Sequence, residues 1–386
     1  MDTVQPPAER KHFRVAIVCA LPREFDAVAL VFDQFWDESG DRYGKANGDP
    51  NFYITGRIGK HNVVLATLPT MGNTSAAAVT ASLRMSYTGL RLGILVGICG
   101  GVPHIDGSDA FLGDVVVSKS IVQYDYGKQY PGHFAVRNTV ENSLGSANGD
   151  IRSLLAVFET NLVRGRLQKE ASRHLERLQE AAKGESRGAK YQYPGAEQDK
   201  LFPPTYSHRH HGWCSVCSDD PDIFCEAASK ASCAEAKCDV SNLVVRERSA
   251  KNNGAFTPGI FIGRIGSGNT VMKSGEDRDR IAATHDLIAF EMEGAGSCDQ
   301  LQCIVVKGIC DYADSHKNDT WQDFAAATAA SVMKAIVGLC AFHDEDRGPT
   351  LTKDQRSLTS RSVESNSFEG KALINQGDVG GNVTFM

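Results

Sequence analysis

Short apolar runs alternate with amphipathic stretches along most of the chain. A polar leader, residues 1–12, precedes "FRVAIVCAL" (13–21), an apolar run of strand length. "NFYITGRIG" (51–59) and "NVVLATLP" (62–69) are separated by a short Gly-Lys-His turn and predict a hairpin. "TSAAAVTASLRMSY" (74–87) has helix-favouring composition, with Asn73 or Thr74 as its expected cap. "RLGILVGICGGV" (91–102) predicts a buried strand that ends in glycines, and "DVVVSKSIVQYDYG" (114–127) follows with an alternating pattern. Helical spacing over 150–183 predicts one or two helices. Strand-like runs return at "GIFIGRIGSG", "LIAFEMEGAG" and "CIVVKGICDYAD". A last helix is predicted over "TWQDFAAATAASVMKAIVGLCAF" (320–342), capped by Asp319 or Thr320. Such alternation is the pattern of an α/β layered domain around a central twisted sheet.

Two segments depart from it. Residues 184–256 are polar, rich in His and Cys and poor in periodicity, which marks an insertion or long surface loop within a domain spanning 13–345. From 346 to 386 the composition shifts to Ser, Thr, Asn, Gly and charged residues, as in a flexible tail.

Composition narrows the function classes. The 386 residues, 41% apolar, suffice for one large domain or two ordinary ones. A net charge of −6 argues against a nucleic-acid binder, which normally presents a basic face. No uninterrupted apolar stretch reaches the roughly 18 residues of a membrane span. The opening "MDTVQPPAERKHF" lacks a secretory layout. The cysteines number eleven, an odd count, and Cys19, Cys99, Cys303 and Cys310 sit in strand-like runs as buried thiols would. A cytoplasmic protein is expected.

Candidate chemistry gathers at four strand ends, where α/β sheets place their ligands. These are Glu24 after "AIVCALPR", "GICGG" (97–101), "EMEG" (291–294) and "CDYAD" (310–314). Each sets a carboxylate or a glycine-rich backbone just past an apolar run. At a strand end Glu291 and Glu293 share one side and Met292 takes the other. Each acid also has a plain structural reading. Glu24 can serve a helix first turn, Glu291 and Glu293 can bind backbone amides, and Asp311 can cap the next segment. "GICGG" and "IGSGN" lack both the P-loop lysine spacing and a full GxGxxG fingerprint.

Taken in order, "VAIVCALPREFDAV", "ILVGICGGV", "GRIGSGNTVM", "FEMEGAG" and "GICDYADSHKNDTWQDFAAATA" resemble the purine nucleoside phosphorylase and uridine phosphorylase superfamily, closest to its hydrolytic nucleosidase branch. The resemblance covers about residues 13–345 apart from the excursion. It implies the nucleoside phosphorylase-like α/β fold, with a mixed sheet flanked by helices, and cleavage of a purine N-glycosidic bond without a cofactor. Such cleavage passes through a ribosyl cation-like state. The resemblance makes Asp311 the acid at N7 of the purine, a role that needs burial to raise its pKa from the usual ~3.9. Glu24 becomes the base that orients or deprotonates water, Glu293 the acceptor of ribose hydroxyls, and Met292 a contact on the sugar face. Ile98, Cys99 and Gly100 lie below the base together with Val271 and Met272, where relatives often place a stacking aromatic. Arg23, Lys273, His316, Lys317 and Trp321 are candidates for the 5′ side or for phosphate.

No arginine-rich turn accompanies Glu24, so hydrolysis is favoured over phosphorolysis. A catalytically silent nucleotide-binding sensor is the alternative of another kind. The domain also resembles those appended to fungal and some bacterial immune receptors, some of which cleave ATP to adenine and ribose 5′-triphosphate. That makes an adenine nucleotide a substrate candidate and a cell-death effector a candidate role. Family members are commonly oligomers, so a homo-oligomer is expected.

"HRHHGWCSVC" gives Cys214 and Cys217 the CxxC spacing of a zinc knuckle, with His210 or His211 close by and Cys225, Cys233 and Cys238 following. No second CxxC or HxxxH completes a set, so no metal is expected. The tail end "FEGKALINQGDVGGNVTFM" (368–386) resembles short amyloid signalling motifs, which implies a receptor that shares the motif.

Overall fold

The computed structural model describes residues 4–137, 149–184, 190–218, 220, 223–246 and 256–342. Its strands are β1 (Val15–Cys19), β2 (Gln34–Phe35), β3 (Tyr53–Ile58), β4 (His61–Thr67), β5 (Leu92–Gly101), β6 (His104–Ile105), β7 (Ser108–Asp109), β8 (Val115–Gln123), β9 (Gly127–Tyr130), β10 (His133–Val136), β11 (Ile260–Ser267), β12 (Leu287–Glu291) and β13 (Cys303–Asp311). The helices are α1 (Pro22–Ala29), α2 (Asn73–Ser86), α3 (Gly149–Phe158), α4 (Asn161–Gly184), α5 (Glu226–Lys230), α6 (Gly275–His285), α7 (Gly294–Gln300) and α8 (Gln322–Leu339). Strands and helices alternate as their apolar periods predict, in an α/β architecture.

Nine strands form one mixed sheet in the order β12-β11-β8-β13-β5-β1-β4-β3-β2. β6–β7 and β9–β10 are small hairpins apart from it. β1 lies between β4 and β5, parallel to both and buried at every residue, which is why its sequence is a continuous apolar run. The expected hairpin is β3–β4, paired from Tyr53↔Ala66 to Ile58↔His61 around a turn with Gly59 at φ +58°. The glycine tolerates that left-handed turn without steric cost.

The sheet also closes on itself. The end of β12 pairs antiparallel with the end of β5, Ala289 against Gly101 and Phe290 against Gly100, so β5, β13, β8, β11 and β12 make a ring. That closure depends on small residues. A Cβ on Gly101 would lie 2.6 Å from Ile309 Cγ2, and one on Gly100 would lie 2.8 Å from the Ala313 Cβ. The result brings the ends of β5, β12 and β13 to one mouth.

The predicted last helix is α8, whose alanine-rich face is buried from Phe324 to Val337. It sits directly on β13: a Cβ on Gly308 would lie 2.0 Å from the Ala325 carbonyl oxygen. Two expected caps differ. Gly72, not Asn73 or Thr74, precedes α2, and Trp321, not Asp319 or Thr320, precedes α8, neither with a side-chain cap. The Asn73 side chain is used elsewhere: its Oδ1 accepts from the Gly296 amide at 3.0 Å and from the Ser267 hydroxyl at 3.1 Å. The long helical stretch after residue 149 is two helices, α3 and α4.

Among its described residues the excursion carries only α5 and two short 3-10 turns, Ala196–Gln198 and Val240–Asn242, with no strand. It is anchored all the same. Leu201 and Phe202 are buried, and Arg246 Nη2 reaches Asp199 Oδ1 at 3.0 Å and the Tyr312 hydroxyl at 2.6 Å. The compact unit ends at Phe342. The tail and its 368–386 motif lie outside the described residues. No helix among the described residues is long and apolar enough to cross a membrane.

Candidate active site

A cleft of about 330 Å³ opens where β1, β5, β12 and β13 end. Its walls include Glu24, Ile98, Cys99, Gly100, Val271, Met272, Met292, Glu293 and Asp311. Arg23 and Lys317 line it as well. Residues from five sequence segments that share no local pattern are thus brought together. Met71 and Phe290 add to the apolar part of the wall.

Glu24 sits in the first turn of α1, just past β1. Its Oε2 accepts from the amides of Ala20 and Leu21 at 2.8 and 2.9 Å, and its Oε1 accepts from the Ile98 amide at 2.9 Å. Three amides therefore aim the carboxylate, and Gly97 makes room for it: a Cβ there would lie 2.2 Å from Oε1. Burial pushes the Glu24 carboxyl above its usual range, against the opposing pull of Lys307 and with a further push from Glu293.

β12 stops at Glu291, and the two acids that follow the apolar run divide their work. Glu291 accepts from the backbone amides of Glu293 and Gly294 at 2.8–2.9 Å, so it fastens the entry to α7. Glu291 thus takes the structural reading open to it in the sequence, that of binding backbone amides. Glu293 accepts from the Gly72 amide at 3.3 Å through Oε1, and from Lys307 Nζ at 3.1 Å through Oε2.

Lys307 is the member that sequence reasoning missed. It stands mid-way along the buried strand β13, 1% exposed, with Glu291 at 3.8 Å on its other side. Burial works against its charge, but Glu293, Glu24 and Glu291 outweigh that and push its pKa up. The signal was present in "CIVVKGICD": a lysine inside an apolar strand must find a carboxylate.

Asp311 ends β13. Its Oδ1 accepts from the Ala313 amide at 2.9 Å, and its Oδ2 pairs with the Lys317 ammonium and accepts from the Cys310 thiol at 3.1 Å. Burial here comes with a cation alongside. The backbone after Asp311 is held firmly: Arg278 Nη1 donates to the Tyr312 carbonyl at 2.8 Å, and the Tyr312 hydroxyl donates to Asp199 Oδ1 at 2.6 Å. Arg23 Nη1 lies 3.3 Å from Asp323 Oδ1, so the two cations of the described cleft wall, Arg23 and Lys317, both face a carboxylate.

Three residues expected on the 5′ side do not line the cleft. Lys273 is exposed just past it. Trp321 is 1% exposed, donates Nε1–H to the Gln198 carbonyl at 3.0 Å and packs on Tyr193 and Phe324, which makes it a core anchor; Gln322 lines the cleft instead. His316 is buried among Tyr206, Phe202 and Cys233. Cys214 and Cys217, the CxxC pair, lie away from the cleft beside His210 and Cys225.

The chain is similar to several known proteins. Residues 14–181 match the model of the phosphorylase superfamily. A nucleotide-binding leucine-rich repeat (NLR)-like protein of Hyaloscypha variabilis is 32% identical over 339 residues, 86% of this chain; the chain spans 30% of that protein's length. Among solved structures, the 5′-methylthioadenosine/S-adenosylhomocysteine nucleosidase of Neisseria meningitidis is 17% identical with a TM-score of 0.48, over 84% of this chain and 98% of that one. The futalosine hydrolase of Helicobacter pylori is 16% identical with a TM-score of 0.48, over 84% and 97%. The MTA/SAH nucleosidase of Streptococcus pneumoniae is 15% identical with a TM-score of 0.49, over 85% and 100%.

Proposed function

We propose, from the premise that the chain carries a phosphorylase-superfamily domain, that it is a nucleosidase hydrolysing the N-glycosidic bond of a purine nucleoside or nucleotide. The observation that carries hydrolysis over phosphorolysis is the charge balance of the cleft. Its two described cations, Arg23 and Lys317, are already paired with Asp323 and Asp311, while the carboxylate of Glu24 is aimed by three amides at the end of β1. A carboxylate held at that position repels a phosphate nucleophile and can take a proton from water.

In this reading the purine lies against Ile98, Cys99 and Met272, and Glu293 accepts from the ribose hydroxyls while Lys307 holds that carboxylate in place. Glu24 takes a proton from water as its oxygen bonds to C1′. The C1′–N9 bond breaks, and the base leaves with a proton at N7 from Asp311. Water and substrate become free base and a free sugar, with no other reactant.

We extend the proposal to adenine nucleotides, ATP included. An incoming 5′ phosphate draws the Lys317 ammonium off Asp311, whose carboxylate then takes up a proton from solvent and passes it to N7, and Arg23 adds a second donor from a pair that solvent reaches. The product from ATP is adenine and ribose 5′-triphosphate. The similarity to an NLR-like protein supports an immune or cell-death effector as the setting.

The test is incubation of the full chain with adenosine, inosine, methylthioadenosine, AMP and ATP, with and without inorganic phosphate. Free base released without phosphate is the expected result. Strict dependence on phosphate would make the protein a phosphorylase, and no release from any substrate would leave a binding module.

A further inference from the structure

The excursion between α4 and β11 presents a packing problem. Among its described residues it has no strand and one five-residue helix. Its own buried cluster consists of Cys217, Cys225 and Ala228 with Cys214 against them. Thiols and an alanine are a poor core, and segments this small normally need a staple.

The fold supplies two sets of four soft ligands. His208, Cys233, Cys238 and His316 form one, and His210, Cys214, Cys217 and Cys225 form the other. Within each set the ligand atoms all lie within 4.8 Å of one another. In the first, the Nδ1 of His208 is 3.7 Å from Cys233 Sγ and 3.3 Å from Cys238 Sγ, and the Nδ1 of His316 is 3.6 Å from Cys233 Sγ. In the second, the Nδ1 of His210 is 3.6 and 3.8 Å from the Sγ atoms of Cys217 and Cys225. Ligands at about 2.3 Å (sulfur) and 2.0–2.1 Å (nitrogen) from a tetrahedral zinc have S···N separations of about 3.6 Å.

The outer ring nitrogens agree. His316 Nε2 lies 2.8 Å from the Tyr206 carbonyl, and His208 Nε2 lies 3.0 Å from the carbonyls of both Ala228 and Ala231. Carbonyls only accept, so Nε2 carries the hydrogen and the Nδ1 lone pair faces the thiols, the arrangement that orients a metal-bound imidazole. Phe202 stacks on the His316 ring at 4.0 Å and fixes its plane. In the other set the backbone of Val216 and of Cys217 bonds to the Cys214 sulfur.

We propose that the chain binds two zinc ions, each in a Cys2His2 site. One site (His210, Cys214, Cys217, Cys225) is nested within the excursion, and the other (His208, Cys233, Cys238, His316) ties the excursion to the loop after β13. His208 and His210, on either side of Arg209, feed the two sites. The site that includes His316 is the consequential one. His316 is five residues beyond Asp311 and adjacent to Lys317, so the metal anchors the segment that carries the pair on the cleft wall. The assignment of the ions does not depend on the reaction the cleft performs.

The test begins with elemental analysis of the full chain purified without chelator, with two zinc ions per chain expected. The double variants Cys233→Ser/Cys238→Ser and Cys214→Ser/Cys217→Ser should each lower the content from two to one. Should a variant fail to fold, the wild-type chain stripped by chelator and titrated with Co2+ serves instead. Its thiolate-to-cobalt absorption should grow until two equivalents are bound and then level. Hydrogen exchange before and after stripping should show protection lost in 312–318 as well as in 205–240. No metal, iron in place of zinc, or disulfides among these cysteines would overturn the proposal. Loss of protection confined to 205–240 would remove His316 from the ligand set.

Discussion

The Lys307 ammonium lies 3.1 Å from Glu293 Oε2, with both side chains at least 95% shielded from solvent. Removing the cation leaves Glu293 and Glu291 as uncompensated charges in the interior. Lys307→Met should therefore lower the free energy of unfolding by about 3–5 kcal/mol, measured by urea denaturation. An unchanged midpoint would show that the pair is not what holds these acids.

Gly97 is the floor on which Glu24 rests. In Gly97→Ala the new methyl carbon would fall 2.2 Å from Oε1, so the carboxylate must move off its three amides. Turnover should fall by about 100-fold, as expected for a catalytic group displaced by roughly 1 Å. The cost in stability should stay near 1–3 kcal/mol, as for modest overpacking. Turnover equal to wild type in the nucleosidase assay would separate Glu24 from the chemistry.

Glu24→Gln and Asp311→Asn each remove a group to which the proposed reaction gives a proton transfer, and each should cut kcat by roughly 10²–10⁴-fold. Circular dichroism identical to wild type would confirm that the fold survives. A rate within a factor of a few of wild type for either variant would refute the role given to that residue.

The pH profile follows from burial. Glu24 acts as a base only when ionised, and burial raises its pKa above the ordinary glutamate value. On the acid limb of the profile, activity should thus decline as pH falls through that raised value, sooner than an exposed glutamate would allow. A kcat/KM profile flat down to the ordinary carboxylate range would contradict a base in this environment.

Under the proposed nucleotide reaction, Lys317 should distinguish phosphorylated from unphosphorylated substrates. If its ammonium moves to a 5′ phosphate, Lys317→Met forfeits a charged hydrogen bond worth ~1.5–3 kcal/mol. KM for ATP should then rise roughly 10- to 100-fold, with KM for adenosine nearly unchanged. Equal effects on both would make Lys317 a partner of Asp311 alone.

The legible parts of this site are those written locally. Glu24, Glu293 and Asp311 each follow an apolar run directly, and a carboxylate at a strand end can be seen without a fold. Lys307 was visible as an oddity in "CIVVKGICD", but its partners lie on other strands, and nothing local names them. Asn73 shows the same limit. It reads as a helix cap, yet its side chain is taken by Gly296 and Ser267, more than 190 positions away. His316 reads as a 5′-side candidate because it follows "CDYAD", whereas the path of the excursion sets Cys233 and Tyr206 against it. The CxxC at 214–217 looked incomplete because His210 and Cys225 fit no regular spacing with it.

Hydrophobic period and the residues at strand ends were enough to specify an α/β chain, its hairpin, the helices α2, α3, α4 and α8 and the carboxylates of the cleft, because each of these follows from neighbours within a few positions. The closure of β12 onto β5, the burial of Lys307 among three glutamates, and the gathering of two Cys2His2 sets arose from how distant strands and loops pack. Those contacts depend on the route of the backbone and on where glycines let it approach, which no local pattern of residues encodes.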